Sequence, residues 1–510
     1  MIERLAILLA CGALAGCAMT GDPTPRAEFL DAPAIGRTIA ESGAASGEWP
    51  QTHWWTKLGS AELDRIEDRA LEGNEGLRAA ADKLEQAEAV SKVEGARLLP
   101  FFDADLGMRF SRIPEHGVVS SYNSSLAGQH KSMAFINPLA LRWELDFWGK
   151  NRAAFDAALG EAAAREAEYA QARLALSASV ARAYVRGAAA ARQLALARAM
   201  SKARRDIEAL AKTRFRAGLD TEDGSAQAAG EVEVAIKREA AALGFLTLQK
   251  DLLARLMGEG PDAGRDLAFG KGAGAALAPP VPRQVPIGLL AHRPDLAAAM
   301  HRAEAAAERI HAAKAEFLPS IDLSATLGYE ASTQVKNIDQ LANLLFRGSA
   351  FNYVVAPGLH LPLFEGGRLR GKLAGRRAEY DEAVDLYNDT LLAAAQQVAD
   401  ALAALRQADT ALAAQERLVA ARRKELELAR SRWNSGLKDR RELVWLAHNV
   451  LEQMFVKETL AADRAAAIVD LYQALGGGWA EGPAAGKGRL APESDPIGPI
   501  VDMISALGGG

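Results

Sequence analysis

The amino-acid sequence contains one pattern twice, and this internal duplication constrains the fold more than any other feature. When the 510-residue chain is shifted by 218 positions, similar residues coincide over most of one half, as Gly149 does with Gly367. Nearer the start of each half the matching shift is 219, as for Pro100 and Pro319. A register that moves by one residue over so long a stretch predicts two copies of one structural unit.

Each copy is predicted to contain a first helix, two strands and a long helical hairpin. The first helices are expected over 61–98 and 295–318, and both end at a Leu-Pro pair because proline disfavours helix in the residue before it. Two proline-free stretches, 149–215 and 368–433, predict helices that each extend roughly 100 Å, with alanine-rich faces suited to coiled-coil packing. A glycine ends each long helix, and return helices are predicted over 225–256 and 441–475.

Alternating apolar and polar residues predict the strands, near 102–111, 141–147, 321–329 and 359–363. Four strands cannot close a barrel in lipid, because the open edges would leave backbone groups without hydrogen bonds. Bacterial membrane barrels have at least eight strands, in even numbers, so a dimer, a trimer or a tetramer of this chain would satisfy the rule. Strand counting leaves these three assemblies open.

Composition and the N-terminus indicate an exported protein that carries a lipid. The formal charge of −5 excludes an extended basic surface for nucleic acid. An apolar run is followed by Leu14-Ala15-Gly16-Cys17, which resembles a bacterial lipobox. The resemblance implies cleavage before Cys17 and a lipid on its thiol, with outer-membrane localisation favoured because position 18 is Ala rather than Asp. The domain prediction is a signal peptide 1–16, a lipidated tether 17–53, a first repeat 54–266, a linker 267–286, a second repeat 287–479 and a mobile tail 480–510.

Four motifs, in their order along the duplicated chain, carry a resemblance to a known family. They are Glu144–Gly149, His292–Leu296, Pro362–Arg368 and Leu471–Trp479. With the lipobox, the chain resembles the outer-membrane efflux proteins, the TolC-like channels, in their lipoprotein branch that serves tripartite pumps. The resemblance implies a fold that is mainly α with β, in which three copies form a long α-helical coiled-coil periplasmic barrel and a twelve-stranded transmembrane β-barrel.

The implied function is that of an exit duct without chemistry of its own. It would pass small molecules such as drugs to the outside from an inner-membrane RND-type transporter and a periplasmic adaptor protein. No catalytic signature, metal site or nucleotide-binding motif is evident, and no cofactor is expected beyond the lipid on Cys17. Two alternatives remain open: a duct for a type I protein secretion system, and a structural helical lipoprotein without a pore.

Three groups of residues are candidates for the function. The first group would face the barrel lumen and either tune permeation or only keep the wall solvated: Asp103, Asp105, Arg109, Arg142, Glu144 and Asp146. The second group forms the two helix reversals, which would be either adaptor-contacting tips or ordinary turns: Arg214, Gly218, Leu219, Arg432, Gly436 and Leu437. The third group would line a periplasmic aperture: Lys438, Asp439, Arg441, Glu442 and Trp445.

Within the third group, the resemblance implies acidic residues just after the second tip glycine. Glu442 fits that expectation, whereas Trp445 stands where a second carboxylate is common. Trp445 would therefore be either an apolar constriction of the aperture or a packed tryptophan.

Overall fold

The structure, a computed structural model, describes residues 26–31, 33, 36–42, 46–269, 281–282, 292–333, 338–345, 347–437 and 439–480. The predicted signal peptide, the lipidation site Cys17, most of the linker 267–286 and nearly all of the tail 480–510 lie outside these described residues.

Seven long helices make up most of the described chain. They are α1 Ala61–Gly73, α2 Glu75–Ala96, α3 Lys150–Arg216, α4 Glu222–Leu256, α5 Pro294–Ala315, α6 Arg368–Asn434 and α7 Arg440–Ala474. The hairpins of the two copies match in length, because α3 and α6 each contain 67 residues and α4 and α7 each contain 35. Among the described residues, no helix combines the length and the apolar character needed to cross a membrane.

The single first helix expected over 61–98 is in fact two helices, α1 and α2, separated by Asn74. The backbone of Asn74 is extended, with ψ of 119°, and its side-chain oxygen accepts a hydrogen bond from Leu77 N at 3.0 Å. Asparagine favours helix starts because its short side chain can satisfy a free backbone amide. The prediction of one continuous helix was therefore wrong at this position.

Four strands form one antiparallel sheet in the order β1-β2-β3-β4. Their bounds are β1 Phe101–Arg112, β2 His130–Leu145, β3 Ser320–Thr333 and β4 Phe351–His360. The register places Leu106 opposite Ile136, Ile136 opposite Tyr329 and Tyr329 opposite Phe351, so apolar residues of all four strands share one face.

The extents of β2 and β4 differ from the prediction. β2 begins at His130, well before 141, and its alternation is broken by an irregularity between Ile136 and Leu139. β4 precedes most of the predicted segment 359–363, and it contains Pro357, a residue that has no amide to donate to a strand ladder and is unfavourable inside strands. These interruptions hid the period-two signal in the sequence.

Shorter elements connect the long ones. They are the helices Gly36–Ser42, Val118–Tyr122, Pro261–Arg265 and Ile338–Leu345, the 3-10 turns Trp54–Leu58, Ser124–Leu126 and Gly348–Ala350, and the parallel pair Ser46–Gly47 with Val281–Pro282. Helix Ile338–Leu345 packs Leu341 and Leu345 against Ala134 and Ala331 of the sheet.

The chain divides into two compact units that do not coincide with the two copies. The described parts of the sheet unit fall within Met1–Glu28, Gln86–Ala162 and His301–Asp385, and those of the helical unit fall within Phe29–Glu85, Ala163–Met300 and Leu386–Gly510. The largest apolar core lies in the helical unit and includes Trp54 and Tyr184. Both copies contribute to both units, while the repeat bounds 54–266 and 287–479 stay a prediction about the sequence.

A joint that occurs twice in the helical unit shows the duplication in three dimensions. In the first copy, Asn74 Nδ2 donates to Leu256 O at 2.9 Å. In the second copy, Arg293 Nη1 donates to Ala474 O at 2.9 Å. Leu256 and Ala474 are 218 residues apart, and Asn74 and Arg293 are 219 apart. These are the two shifts seen in the sequence, so the copies build the same contact with different side chains.

Glycine makes the same joint possible in both copies. A Cβ built on Gly258 would lie 2.0 Å from Gly73 O, and one built on Gly476 would lie 1.8 Å from His292 O. Both glycines have positive φ, 77° and 83°. A side chain at either position would be strained and would overlap the facing backbone, so only glycine fits.

Candidate functional site

The polar face of the sheet collects most of the predicted luminal residues. Asp103, Asp105 and Arg109 are separated by even numbers of residues along β1, so their side chains lie on one face of the sheet. Arg142 of β2 lies on the same face, with its Nη2 atom 3.5 Å from Asp103 Oδ2 and 3.9 Å from Asp105 Oδ2. The structure therefore brings these charges together as a mixed polar surface.

Glu144 lies at the end of this face, directly opposite Asp322 of β3. Two like charges at directly opposed positions repel each other. Lys150, the first residue of α3, contacts Glu144 through a short ion pair that offsets the repulsion. The sheet and α3 are therefore joined at a charged corner.

Asp146 has a different role from the one the sequence suggested. It follows the last residue of β2, and its carboxylate accepts hydrogen bonds from Asn151 N at 3.1 Å and Arg152 N at 2.7 Å. The first amides of a helix lack partners within the helix, and a carboxylate satisfies them. Asp146 thus caps α3 and is not part of the strand face.

Within the sheet unit, a cavity of about 820 Å³ lies beside the charged corner. Ion pairs border it: Glu161 with Arg309 at 3.3 Å joins α3 to α5, and Glu316, the residue after α5, contacts Lys372 of α6 at 2.5 Å. Acidic and basic side chains contribute to the lining in nearly equal numbers. The cavity wall is therefore charged but close to neutral overall.

Two tryptophans near this corner hydrogen-bond to the backbone just before the strands. Trp143 Nε1 donates to Leu98 O at 3.3 Å, and Trp148 Nε1 donates to Pro319 O at 2.6 Å. Trp148 remains half-exposed and Phe147 is exposed. A ring that is apolar on one side and anchored to a carbonyl on the other is typical of residues at a membrane–water boundary.

The two helix reversals have the same backbone geometry. Gly218 and Gly436 follow α3 and α6 with φ of 68° and 73°. Leu219 N donates to Arg214 O and Leu437 N donates to Arg432 O, each at 2.9 Å, and each glycine N–H donates to the carbonyl three residues before it. This pattern is the Schellman motif, which ends a helix with glycine in the left-handed region.

A cluster of four charged residues, which we call the tip clasp, links the two reversals: Arg214, Asp220, Asp439 and Arg441. Arg441 Nη1 contacts Asp220 Oδ2 at 3.1 Å, and Arg441 Nε contacts Asp439 Oδ2 at 2.9 Å. Arg214 contacts Asp220 at 3.4 Å and Asp439 at 4.0 Å. Each arginine thus contacts both carboxylates.

The clasp carboxylates are held in their charged form. The pKa of Asp220 lies below its usual 3.8, chiefly because Thr221 N–H donates to it, with further lowering by Arg214 and Arg441. The pKa of Asp439 is also lowered, chiefly by the hydrogen bonds from Arg441. Asp220 was not predicted from the sequence, although its place just before Thr221, which caps α4, was a usable signal.

The remaining tip residues leave apolar surface exposed. Leu219 and Leu437 are 66% and 74% exposed, and Trp445 is 52% exposed on α7. Glu442 lies in the first turn of α7, and Lys438 lies outside the described residues. The packed alternative for Trp445 is therefore disfavoured in the single chain, while its role as a constriction stays a prediction.

Comparison with known proteins decides the family. The profile described as "Outer membrane efflux protein" matches residues 67–259 and 286–477, one match to each copy. The chain belongs to the outer membrane efflux protein family. Membership assigns it a place in the outer membrane and a role in efflux, and it confirms the duplication that the sequence predicted.

Individual relatives are similar over nearly their whole lengths. Outer membrane protein OprJ of Pseudomonas aeruginosa is 33% identical over 436 residues, which cover 84% of this chain and 87% of OprJ. The multidrug resistance outer membrane protein MdtP of Escherichia coli is 28% identical over 511 residues, covering 96% of this chain and 100% of MdtP. The structure of the outer membrane protein VceC from Vibrio cholerae superposes with a TM-score of 0.73 at 30% identity, over 84% of this chain and 100% of VceC.

Proposed function

We propose that three copies of this chain form an outer-membrane exit duct that receives small molecules, such as drugs, from an inner-membrane RND-type transporter through a periplasmic adaptor. The observation that carries the proposal is the open four-stranded sheet with one polar and one apolar face. Leu106, Tyr353 and Leu359 are each more than two-thirds exposed on the apolar face. So much exposed apolar surface on a sheet suits contact with lipid.

The two edges of the sheet support the assembly. Among the described residues, β1 and β4 each have one side without a partner strand, and lipid does not tolerate such an open edge. Pairing β4 of one copy with β1 of the next would continue the sheet, and three copies would close twelve strands, an even number in the bacterial range. Native mass spectrometry of the detergent-extracted protein should give a trimer; a dimer or a tetramer would overturn this stoichiometry.

The near-neutral charge of the wall supports small molecules as cargo. A lumen lined by one sign of charge would favour permeants of the opposite sign. The polar face of the sheet and the cavity beside it mix acidic and basic side chains, so a lumen built from them would set no such preference and would leave substrate choice to the transporter. MdtP, which is named for multidrug resistance, is similar over its whole length and supports drugs as cargo.

The reversals supply the partner-binding surface in this proposal. Leu219 and Leu437 would insert into adaptor surfaces, and burial of one leucine contributes about 1.5–3 kcal/mol. Replacement of both by aspartate should weaken adaptor binding by more than about tenfold per leucine and abolish drug resistance in a complemented deletion strain. The measurement is the minimal inhibitory concentration together with adaptor co-purification.

A matched variant keeps this experiment specific. Leu219→Met with Leu437→Met preserves apolar surface and should retain resistance. Trimer yield in the outer membrane should be equal in both double variants. Full resistance in the aspartate variant would show that the reversals are turns without a partner.

The tip clasp would hold the duct closed at its periplasmic end. Arg441→Ala removes the link to Asp220, and single-channel conductance in planar bilayers at physiological salt should increase several-fold. High salt screens exposed ion pairs, and the Debye length at 1 M salt is about 3 Å. The conductance of the wild-type channel should therefore approach that of the variant near 1 M salt, once both are compared at the same salt concentration. Arg216→Ala, at an exposed arginine of the same turn outside the clasp, is the control and should leave conductance unchanged.

The pH dependence of the clasp follows from its carboxylates. Because the pKa values of Asp220 and Asp439 lie below 3.8, both carboxylates stay charged above that pH, and their ion pairs with Arg214 and Arg441 are lost only as pH falls through the lowered values. Wild-type conductance should therefore be flat from about pH 5 to pH 8. A rise in wild-type conductance between pH 5 and pH 8 would contradict the role of the tip clasp. Equal conductance of the Arg441→Ala and wild-type channels would also contradict it.

Lipidation of Cys17 completes the proposal. The lipid would be a second membrane anchor beside the sheet. Mass spectrometry of the mature N-terminus should show cleavage before Cys17 and an acylated thiol, and an unmodified N-terminus would refute it.

Trp445→Ala tests the proposed constriction of the periplasmic aperture, because unchanged conductance and drug export in this variant would exclude it.

A further inference from the structure

Helix α7 of the second hairpin packs against α3 and α4 of the first hairpin, and His448 is buried in this contact, which we call the seam. His448 is only 8% exposed, and its Nδ1 atom has no hydrogen-bond partner among the residues that the structure describes. It lies eight residues after Arg440, the first residue of α7, so about 12 Å separate it from the tip end of that helix. The seam therefore contains a buried titratable side chain that does not belong to the tip clasp.

Apolar side chains pack the seam on the face of α7 that carries His448. Phe455 follows His448 by seven residues, which places both side chains on one face of the helix. Phe455 packs against a cluster that contains Leu194 of α3 and Ala242 of α4. The guanidinium of Arg238, from α4, lies over the Phe455 ring, 4.6 Å from the ring centroid. This face of α7 is therefore covered by the first hairpin.

Charged side chains from all three helices interact with the imidazole of His448. They are Arg204 of α3, Glu231 and Arg238 of α4, and Glu452 of α7 itself. Arg204 Nη2 contacts Glu231 Oε2 at 3.3 Å. Arg238 Nη1 contacts Glu452 Oε1 at 3.1 Å. Each carboxylate near the imidazole is thus already paired with an arginine.

Helix α6 packs along other faces of α7, and its charged groups there contact other residues. Glu416 pairs with Lys457 at 2.8 Å. Arg423 Nη2 lies 3.5 Å from Met454 Sδ. Lys457 is nine residues from His448, on the opposite face of α7, and Met454 is six residues away, also off the seam face. The charges at these α6 contacts therefore do not face the imidazole.

Protonation of His448 would unbalance the charges in the seam. With a neutral imidazole, two arginines face two glutamates, whereas an imidazolium would add a third cation. Both glutamates already pair with arginines, so the new charge would be buried without a carboxylate of its own, which is costly. Burial first, and Arg204 next, lower the pKa of His448 below its usual 6.5, although Glu452 and Glu231 oppose this shift. Packing and charge therefore both favour the neutral form.

We propose that His448 is a pH-sensitive switch in the seam: the neutral imidazole allows α7 to pack against α3 and α4, and proton uptake releases α7 at this level. The release is local, because ion pairs Arg182–Asp470 and Arg192–Glu458 join α3 to α7 farther from the tip. The tip clasp stays charged above pH 3.8, so the closed tip is retained when the seam loosens. The inference concerns contacts within one chain and does not rest on the proposed assembly or its cargo.

The direction of the pH effect follows from the lowered pKa. The open seam binds the proton of His448 more readily than the closed seam, so closure is fully favoured above pH 6.5 and weakens as pH falls from 6.5 through the lowered value. Hydrogen exchange of the full-length protein, corrected for the intrinsic pH dependence of exchange, measures this opening. The amides of 444–452 should exchange at least about fivefold faster at about pH 5.5 than at about pH 7.5.

Variants of His448 separate the switch from general acid sensitivity. His448→Gln cannot titrate, so its 444–452 amides should be equally protected at both pH values. His448→Arg carries a permanent charge and should exchange fast at both. His311→Gln, which changes a histidine of α5 whose side chain is 62% exposed, is the control and should follow the wild type.

Three results would overturn the switch. The first is equal exchange of 444–452 at both pH values in the wild type. The second is an acid response of His448→Gln that equals the wild-type response, and this test holds even if His448→Arg does not fold. The third is an acid response in the wild type that is spread evenly along α7, including 460–474, since that would show general unfolding and not local release.

Discussion

Gly476→Ala should lower the free energy of unfolding by about 3 kcal/mol. The left-handed backbone that glycine adopts here, with φ of 83°, costs another residue about 1–2 kcal/mol. The added Cβ would also lie 1.8 Å from His292 O, and relieving such an overlap in a packed interior typically costs a further 1–3 kcal/mol or so. Because the contact is with backbone, no side chain can rotate away to relieve it.

Chemical denaturation of the detergent-solubilised protein, followed by tryptophan fluorescence, measures this loss. Gly258→Ala, at the equivalent joint of the first copy, should be destabilised to a similar extent, since its Cβ would meet Gly73 O at 2.0 Å. Gly230→Ala in α4 is the matched control, because nothing lies within 4 Å of its Cβ and alanine favours a helix by about 0.5–1 kcal/mol. If Gly476→Ala had the same denaturation midpoint as the wild type, the close backbone contact at this joint would be contradicted.

Glu67→Met should stabilise the protein by about 1–3 kcal/mol, because it removes a buried carboxyl group whose hydrogen bonds are not made. Glu67 lies on α1 and is fully buried, and within the part of the chain that the structure describes neither carboxyl oxygen has a hydrogen-bond partner. Ser177 lies near enough to lower the pKa of the carboxyl, yet its hydroxyl also makes no hydrogen bond of acceptable geometry to a described residue. Methionine would fill a similar volume without polar atoms.

The effect at Glu67 should depend on pH. Burial first, and then the charges of Asp64 and Asp68, raise the pKa of Glu67 well above 4.5. The unfolded chain releases this proton above pH 4.5 while the folded chain retains it, so folding stability falls as pH rises from 4.5 through the raised pKa. The free energy of unfolding of Glu67→Gln, which cannot ionise at this position, should equal that of the wild type in acid. It should exceed the wild-type value by a growing margin as pH rises.

Thermal unfolding at several pH values between about 5 and 9 separates these contributions. The control is Glu72→Gln, at an exposed position of the same helix, which should follow the wild-type curve. If Glu67→Gln and the wild type lost stability in parallel over this range, the buried carboxyl would have to be ionised or paired.

Local signals in the sequence were sufficient for the hairpins and insufficient for contacts between distant segments. The long helices and their glycine ends were predicted to within a few residues, because alanine-rich, proline-free runs and a single glycine act within one element. The break at Asn74 was missed, because the local cap of Asn74 on Leu77 N is a weak signal and its second bond, to Leu256 O, joins segments far apart in the chain. β4 was misplaced because Pro357, a residue that is unfavourable inside strands, lies within Phe351–His360 and argues against a strand there.

The functional residues divide in the same way. Charges on the strand face and apolar residues at the reversals follow from alternation and from helix ends. The tip clasp needs Asp220 and Arg441 to meet from separate hairpins, and the hydrogen bond from Arg26 N to Asp381 joins segments 355 residues apart. Neither pairing produces a periodic pattern in the amino-acid sequence. The reassignment of Asp146 from strand face to helix cap likewise depends on where α3 begins.

The two reversals share one backbone shape but not one charge. The position that is Asp220 in the first reversal corresponds, at the shift of 218, to Lys438 in the second. In the proposed trimer, six tips of equal shape would therefore alternate between acidic and basic around the ring. A partner present in six identical copies would bind at two chemically different kinds of tip. A partner present in three copies could bind at only one kind of tip. In that trimer the repeat would give a near-sixfold outline, and the difference between Asp220 and Lys438 would leave only threefold symmetry in charge.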